Sequence, residues 1–374
     1  SVQILASAMG IDQLALFVLS HGIDRQITPR QVLFQGDLWR GVHHKPFVAR
    51  RGLAFGARQG MFLAVVAPKE YNAVKAARQL KVTWSDVKSP FPEQKELFNH
   101  IRNAKVLKAG GSPKNVEPAK VEEAFKGADK VIEATYEWPF QSHASMGPAG
   151  AGVDYQPNGI TTLWTGSQKP HHVQMGTAKL CDIPIDRLRA IWVPGPGSYG
   201  RNDAGDCAHE AALLSKLTGR PVRLQYMRYE GTGWDPKSPA CVFRGRAAID
   251  AGGNIIGYDF HAKGFSRQDM VQTEADPAHC LAGMNTGYAL KPTQIFGVPS
   301  ESYGFASKHL WWETIPPLLD RNSPLRTSHM RDPGGPQIHF ASESFMDELA
   351  LATNTDAVEF RLKYLSNPRD VAVV

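Results

Sequence analysis

The patterns with the most chemistry in them lie in the middle and near the end of the chain. Gly195-Pro196-Gly197-Ser198-Tyr199-Gly200 matches Gly-x-Gly-x-x-Gly between an expected strand and an expected helix, the context in which glycine lets backbone amides approach a pyrophosphate. A nicotinamide-binding turn also expects an acidic residue about twenty positions later. That window holds Gly219, Arg220 and Pro221, and Glu230 comes late, so the glycines fit a structural turn or another anionic cofactor better than a nicotinamide. Gln168 sits where a strand ending at Thr165 turns into a helix. Its amide and the helix's free N–H groups can point together at a ligand oxygen, or it can simply cap the helix or face solvent. In Met330-Arg331-Asp332-Pro333-Gly334-Gly335-Pro336-Gln337 an arginine and a Pro-Gly-Gly-Pro elbow precede an amphipathic helix. Such a segment is a stiff connector, or it holds a guanidinium beside an anion or carbonyl where small residues permit close approach.

Other chemistries fit less well. His43-His44 and His171-His172 are adjacent pairs, whose side chains point in different directions and which lack an i, i+4 partner with a carboxylate, so no metal ligands are expected. His143 follows a strand and reads as a structural residue at a domain junction. There is no Ser-His-Asp order and no Gly-x-Ser-x-Gly elbow. Cys181, Cys207, Cys241 and Cys280 form no Cys-x-x-Cys spacing, which argues against an iron–sulfur cluster or structural zinc on this chain's thiols. The apolar run 14–19 is too short to cross a bilayer, and Asp12 and Gln13 precede it where a signal peptide would be positively charged. A position outside the cytoplasm would require another exporter.

The elements that must position these residues belong to a folded chain of 374 residues, 42% hydrophobic and 21% charged, long enough for two or three domains. Disorder, collagen and a small disulfide scaffold are excluded. The net charge of +6 is spread without runs, which suits an anionic ligand without calling for nucleic acid. Residues 1–59 follow neither period for long and stay unassigned; 32–36 resembles part of a protease tag site by coincidence. Strand 61–66, helix 69–80 and strand 81–84 read as one strand–helix–strand unit. An excursion over 86–115 with one short helix follows, and strand 130–138 is expected to resume the sheet. A boundary there gives domains 60–138 and 139–374. The second opens with a hairpin, 150–155 and 160–165, turned by Gln156-Pro157-Asn158-Gly159. Helix 168–180, strand 187–193, loop 194–206, helix 208–217 and strand 221–228 come next. A hairpin 241–249 to 255–265 and helices 340–352 and 357–365 close the chain, the last capped by Asp356 with Glu359 three residues on.

Several segments, in this order, resemble the large molybdenum-binding subunit of the xanthine dehydrogenase and aldehyde oxidase family, and more closely its nicotinate dehydrogenase and isoquinoline oxidoreductase branch. They are Phe140-Gln-Ser-His-Ala-Ser-Met-Gly-Pro148, Trp164-Thr-Gly-Ser-Gln168, Gly197-Ser-Tyr-Gly-Arg201, Gly219-Arg-Pro-Val-Arg223, Arg331-Asp-Pro-Gly-Gly-Pro-Gln337, Phe340-Ala-Ser-Glu-Ser-Phe-Met-Asp-Glu-Leu349 and Asp356-Ala-Val-Glu-Phe-Arg-Leu362. The resemblance implies an α+β fold: a partial α/β-hammerhead domain, then the first molybdopterin-binding domain. It implies that Gln168 hydrogen-bonds an oxygen on molybdenum and that Arg331 lies beside cofactor and substrate. Ser198, Tyr199, Gly200, Arg201, Gly334 and Gly335 would line the molybdopterin cytosine dinucleotide. Pro333 stands where xanthine-type enzymes carry an aromatic that stacks on substrate, which argues against a purine. Asp203 lies near an acidic substrate contact of those enzymes, but the loop lengths differ and the role is not carried over.

The implied reaction is oxidation of an aldehyde, or hydroxylation of an N-heteroaromatic ring, with water as the oxygen source. Electrons would leave through [2Fe-2S] clusters on a small partner subunit and then cytochrome c, with haem c on a further subunit. The family's glutamate base lies in a second molybdenum-binding half, downstream of anything in this sequence, so an incomplete large subunit is expected: a fragment, a truncated product or one piece of a split subunit. Export with the partner would place the complex on the periplasmic face of the inner membrane; the alternative is cytoplasmic. A non-catalytic scaffold that docks partners without metal is the rival from another class.

Overall fold

The computed structural model describes residues 15–18, 31–33, 47–51, 54–60, 62–79, 81–83 and 91–374, except 196, 202, 272, 291, 294–296, 298–301, 320–321 and 331–334. Two sheets organise it. The first has eight strands, in the spatial order Leu188–Trp192, Thr161–Thr165, Gly150–Asp154, Val222–Gln225, Ala15–Val18, Phe62–Ala67, Ala54–Gln59, Phe47–Arg51. The second has five: Lys108–Gly111, Lys308–Ile315, Ile255–Phe265, Cys241–Ile249 and Lys130–Trp138. The fold is α+β, as expected.

Each sheet is closed by one long helix. Ala204–Thr218 packs Ala208, Ala211 and Leu214 against Ala151, Val153, Leu163, Val222 and Leu224 of the first sheet. Gly335–Ala352 packs Ile338, Ala341, Phe345 and Leu349 onto Phe243, Ala247, Tyr258 and Phe260 of the second. There the Phe345 ring occupies the place of a side chain on Gly245, where a Cβ would sit 2.6 Å from it. Apolar burial supplies most of the cohesion in both layers.

The hairpins Gly150–Asp154 with Thr161–Thr165 and Cys241–Ile249 with Ile255–Phe265 form as read, because alternating side chains and short Gly-containing turns fix their register. The first turn closes through the Gly159 N–H to Gln156 O without a left-handed residue. Asp356 caps its helix by accepting from the amides of Val358 and Glu359.

Other expectations are corrected. Strand Lys130–Trp138 does not rejoin the sheet of Phe62–Ala67; it pairs along its whole length with Cys241–Ile249. Strand Lys81–Thr83 pairs with Gln31–Leu33 in a separate ribbon, so the strand–helix–strand unit is not one sheet. The sheets therefore run across the boundary expected after Trp138. Gly110 and Gly111, read as loop residues, belong to the edge strand Lys108–Gly111, where the missing side chain of Gly110 leaves room for the indole of Trp312. Helices Pro118–Lys126 and Arg228–Trp234 were not foreseen.

Candidate functional site

The site is built at the carboxyl ends of two neighbouring parallel strands, Thr161–Thr165 and Leu188–Trp192, joined by the crossover helix Pro170–Cys181. Loops beyond such strand ends are where open α/β sheets place ligands. After Thr165 the chain turns through buried Ser167, whose amide donates to Thr165 Oγ1 (3.1 Å) and whose Oγ accepts from the Lys169 amide (3.2 Å). Pro170 then starts the helix, so Gln168 and Lys169 occupy its entry and not its first turn.

Opposite them, the glycine loop is forced back on itself. Tyr199 adopts a left-handed φ of 52°, Gly200 has φ 123°, and Gly200 bridges antiparallel to Met330. Three donors meet on the Gly200 carbonyl: Gln168 Nε2 at 2.6 Å, Ser198 Oγ at 2.7 Å and Lys169 Nζ at 3.1 Å. One carbonyl oxygen has two lone pairs, so this small oxygen is oversubscribed with donors. An anionic oxygen placed among them would be a better acceptor, and the donor set fits an oxo-bearing or phosphate-bearing group.

The loop is held from behind. The Arg201 amide donates to His329 O (3.1 Å), while its buried guanidinium donates to Val271 O (2.6 Å) and His279 O. Arg201 Nε lies 3.9 Å from Glu274 Oε1. His143, read as structural, is buried with Nδ1 2.7 Å from Pro236 O and Nε2 2.9 Å from His329 O. Asp235 accepts from Ser142 Oγ and the His143 amide and pairs with Lys237. Burial, with Asp235 adding to it, pushes the Asp203 carboxyl up to about 7. His329 is pushed down to about 4, first by burial and then by Lys169, His143, Arg201 and Arg267.

The structure thus brings together Gln168, Ser198, Tyr199, Gly200 and the backbone of Arg201. Tyr199 remains 40% exposed. Arg331 and Gly334 lie outside the described residues; Arg331 directly follows Met330 in the chain. Gly335 is buried at the start of its helix. Sequence reasoning missed Lys169, whose partner is 31 positions away, although its place next to Gln168 was a signal. The nicotinamide alternative finds no support here, since the Arg201 amide is taken by His329 O and is not free for a pyrophosphate.

Residues 107–291 match the model of the molybdopterin cofactor-binding domain. A nicotinate dehydrogenase subunit of Pseudomonas putida is 31% identical over 319 residues, 84% of this chain and 25% of that one. The beta subunit of isoquinoline 1-oxidoreductase of Brevundimonas diminuta is 26% identical over 83% of this chain and 39% of that one. The chain carries a molybdopterin cofactor-binding domain of the xanthine dehydrogenase family.

Among solved structures, quinoline 2-oxidoreductase from Pseudomonas putida 86 shares the fold, with a TM-score of 0.65 at 17% identity over 98% of this chain and 50% of that one. This chain spans 25% and 39% of the lengths of the two curated relatives above, both of which are named as subunits.

Proposed function

We propose that this chain is the cofactor-holding segment of a molybdenum hydroxylase large subunit, which oxidises an aldehyde or hydroxylates an N-heteroaromatic ring with water as the oxygen source. The observation that carries the proposal is the convergence of Gln168, Ser198 and Lys169 on one backbone oxygen at the strand ends. Bound there, molybdenum–molybdopterin, in its cytosine dinucleotide form, would supply the two-electron redox chemistry.

The chain's own residues position and stabilise. Gln168 presents an N–H donor already aimed at an oxygen, so little reorganisation is needed as negative charge grows on a ligand oxygen. Ser198, Tyr199 and Gly200 bring backbone close to the cofactor, the missing side chain and positive φ of Gly200 letting the loop pack against His329 and Met330. Arg201 supports the loop from inside. Arg331 is assigned to cofactor and substrate, and Gly334 and Gly335 to close packing beside them. Pro333 leaves no stacking face and disfavours a purine. The glutamate base is proposed on the remaining half of the large subunit, and the electron acceptors on a small [2Fe-2S] subunit followed by a cytochrome c subunit.

The test is to isolate the complex from its host through this chain and measure molybdenum, iron and released CMP. Molybdenum with CMP is expected, and Gln168→Ala should lower kcat by about tenfold to a thousandfold with KM nearly unchanged. A well-folded complex containing neither, or a Gln168→Ala complex with full turnover, would refute the assignment.

A further inference from the structure

Lys169 carries a charge that its surroundings do not balance. Burial lowers its pKa, and its nearest polar partner is the neutral Gly200 carbonyl. Among the described residues no carboxylate lies within the 4.0 Å that would make an ion pair with it. Glu274 is the acid that acts on it most, yet Glu274 is buried beneath the loop and faces Arg201 as well. Two cations therefore share one carboxylate. The same side of the site holds Arg201 and Arg267; burial, with Lys169 and these two arginines adding to it, pushes His329 down to about 4.

A half-buried ammonium with no carboxylate in ion-pair contact is only partly balanced by the shared Glu274, and the remaining cost is offset when an anion enters. We propose that Lys169 Nζ and Gln168 Nε2 form an oxyanion subsite, in which the Gly200 carbonyl holds the place of an anionic ligand oxygen. This rests on the assignment of the site above and adds its charge requirement: the ligand oxygen facing Lys169 is negatively charged, as in a phosphate of the cofactor or a carboxylate of an aromatic substrate. Lys169 is a binding residue whose ammonium, unlike the neutral amide beside it, selects for that charge.

The intact complex, prepared free of cofactor, is titrated by calorimetry with inorganic pyrophosphate and, separately, with benzoate. Wild type and Lys169→Arg should bind at least one probe alike, and Lys169→Gln should bind it about tenfold to a hundredfold more weakly. Loss of pyrophosphate binding alone assigns the subsite to a phosphate; loss of benzoate binding alone assigns it to a substrate carboxylate. Equal binding by wild type and Lys169→Gln, or no binding of either probe by wild type, overturns the subsite. Molybdenum content of the cofactor-loaded wild type is read in parallel. Molybdenum present with Lys169→Gln binding normally rejects the subsite and leaves the site assignment standing, whereas lysine-dependent binding without molybdenum rejects the assignment and keeps the subsite.

Discussion

Gly200 shows why a single residue decides the shape of this site. A Cβ there would lie 2.2 Å from His329 O and 2.9 Å from the Met330 backbone, inside the two-stranded contact that fixes the loop. Its φ of 123° is also closed to L side chains. Gly200→Ala should therefore cost about 2 kcal/mol or more in denaturant unfolding of the complex and reduce the molybdenum retained. Gly219 is the control. It too has a positive φ, 63°, but nothing lies within 4 Å of its Cβ position, so Gly219→Ala should cost only about 1 kcal/mol of backbone strain and spare the molybdenum. Equal effects of the two substitutions would show that crowding by the 329–330 segment is unimportant. The neighbouring Tyr199 keeps its left-handed φ of 52°, a strained conformation of the kind that persists where surrounding contacts dictate it.

At the scale of elements, His143 ties three segments that are distant in the chain. It follows strand Gln141–Ser142, which pairs with Lys237–Ser238, and its ring reaches Pro236 O on one side and His329 O on the other. His329 O is the same oxygen that receives the Arg201 amide. Removing the ring in His143→Ala leaves a cavity and takes away a buried hydrogen bond, worth about 2–3 kcal/mol together. The amide of Arg201 should then exchange faster with deuterium, while amides of the distant hairpin Cys241–Ile249 keep their protection; unchanged exchange at Arg201 would disprove the clamp. Much at this scale is legible in the sequence. Hairpins and the helices after Phe340 are local, their periodicity and caps lying within a few residues. Gln168 and the glycine loop also stand out, because a glycine cluster after a strand marks backbone that takes conformations closed to other residues. What is not legible is set by long-range pairing: which sheet Lys130–Trp138 joins, the edge strand hidden in Gly110-Gly111, and the contacts of His143 and Lys169 with carbonyls far along the chain. The helix at Pro118 is a different case, since a proline at a helix start is a local signal, present in the sequence and not used.

The molecule as a whole buries many ionisable groups, and their shifts make its stability depend on pH. His279 and His329 are pushed down to about 4, both chiefly by burial, and His209 is lowered for the same reason. Each is neutral when folded and takes up a proton more readily when unfolded, so stability is lost as pH falls below about 6.5 toward the folded values. Burial acts oppositely on acids: Asp203 and Asp269 are raised to about 7 and Glu210 to about 8. Their protonated forms are favoured in the fold, so their contribution is full below about pH 4 and is lost from there upward until pH passes 7 and 8. Between about pH 4 and 6.5 the histidines and the acids oppose each other, and above about 6.5 only the acids act, so thermal unfolding of the complex should come earlier as pH rises from about 6.5 to 8 and change less below it. Glu210 isolates one arm, since its carboxyl accepts from Tyr226 Oη at 2.8 Å and an amide can accept in its place. Glu210→Gln mimics the protonated acid, and between about pH 6.5 and 8 it should lose about 2 kcal/mol less stability than wild type, the linkage of one buried proton over that interval. Parallel pH profiles of the two proteins would mean that Glu210 is already ionised in the fold, which its buried place on helix Ala204–Thr218 could sustain only with a strong cation beside it; Tyr226, which donates to it, is uncharged, and Arg326, the cation that acts on it, is paired with Asp206.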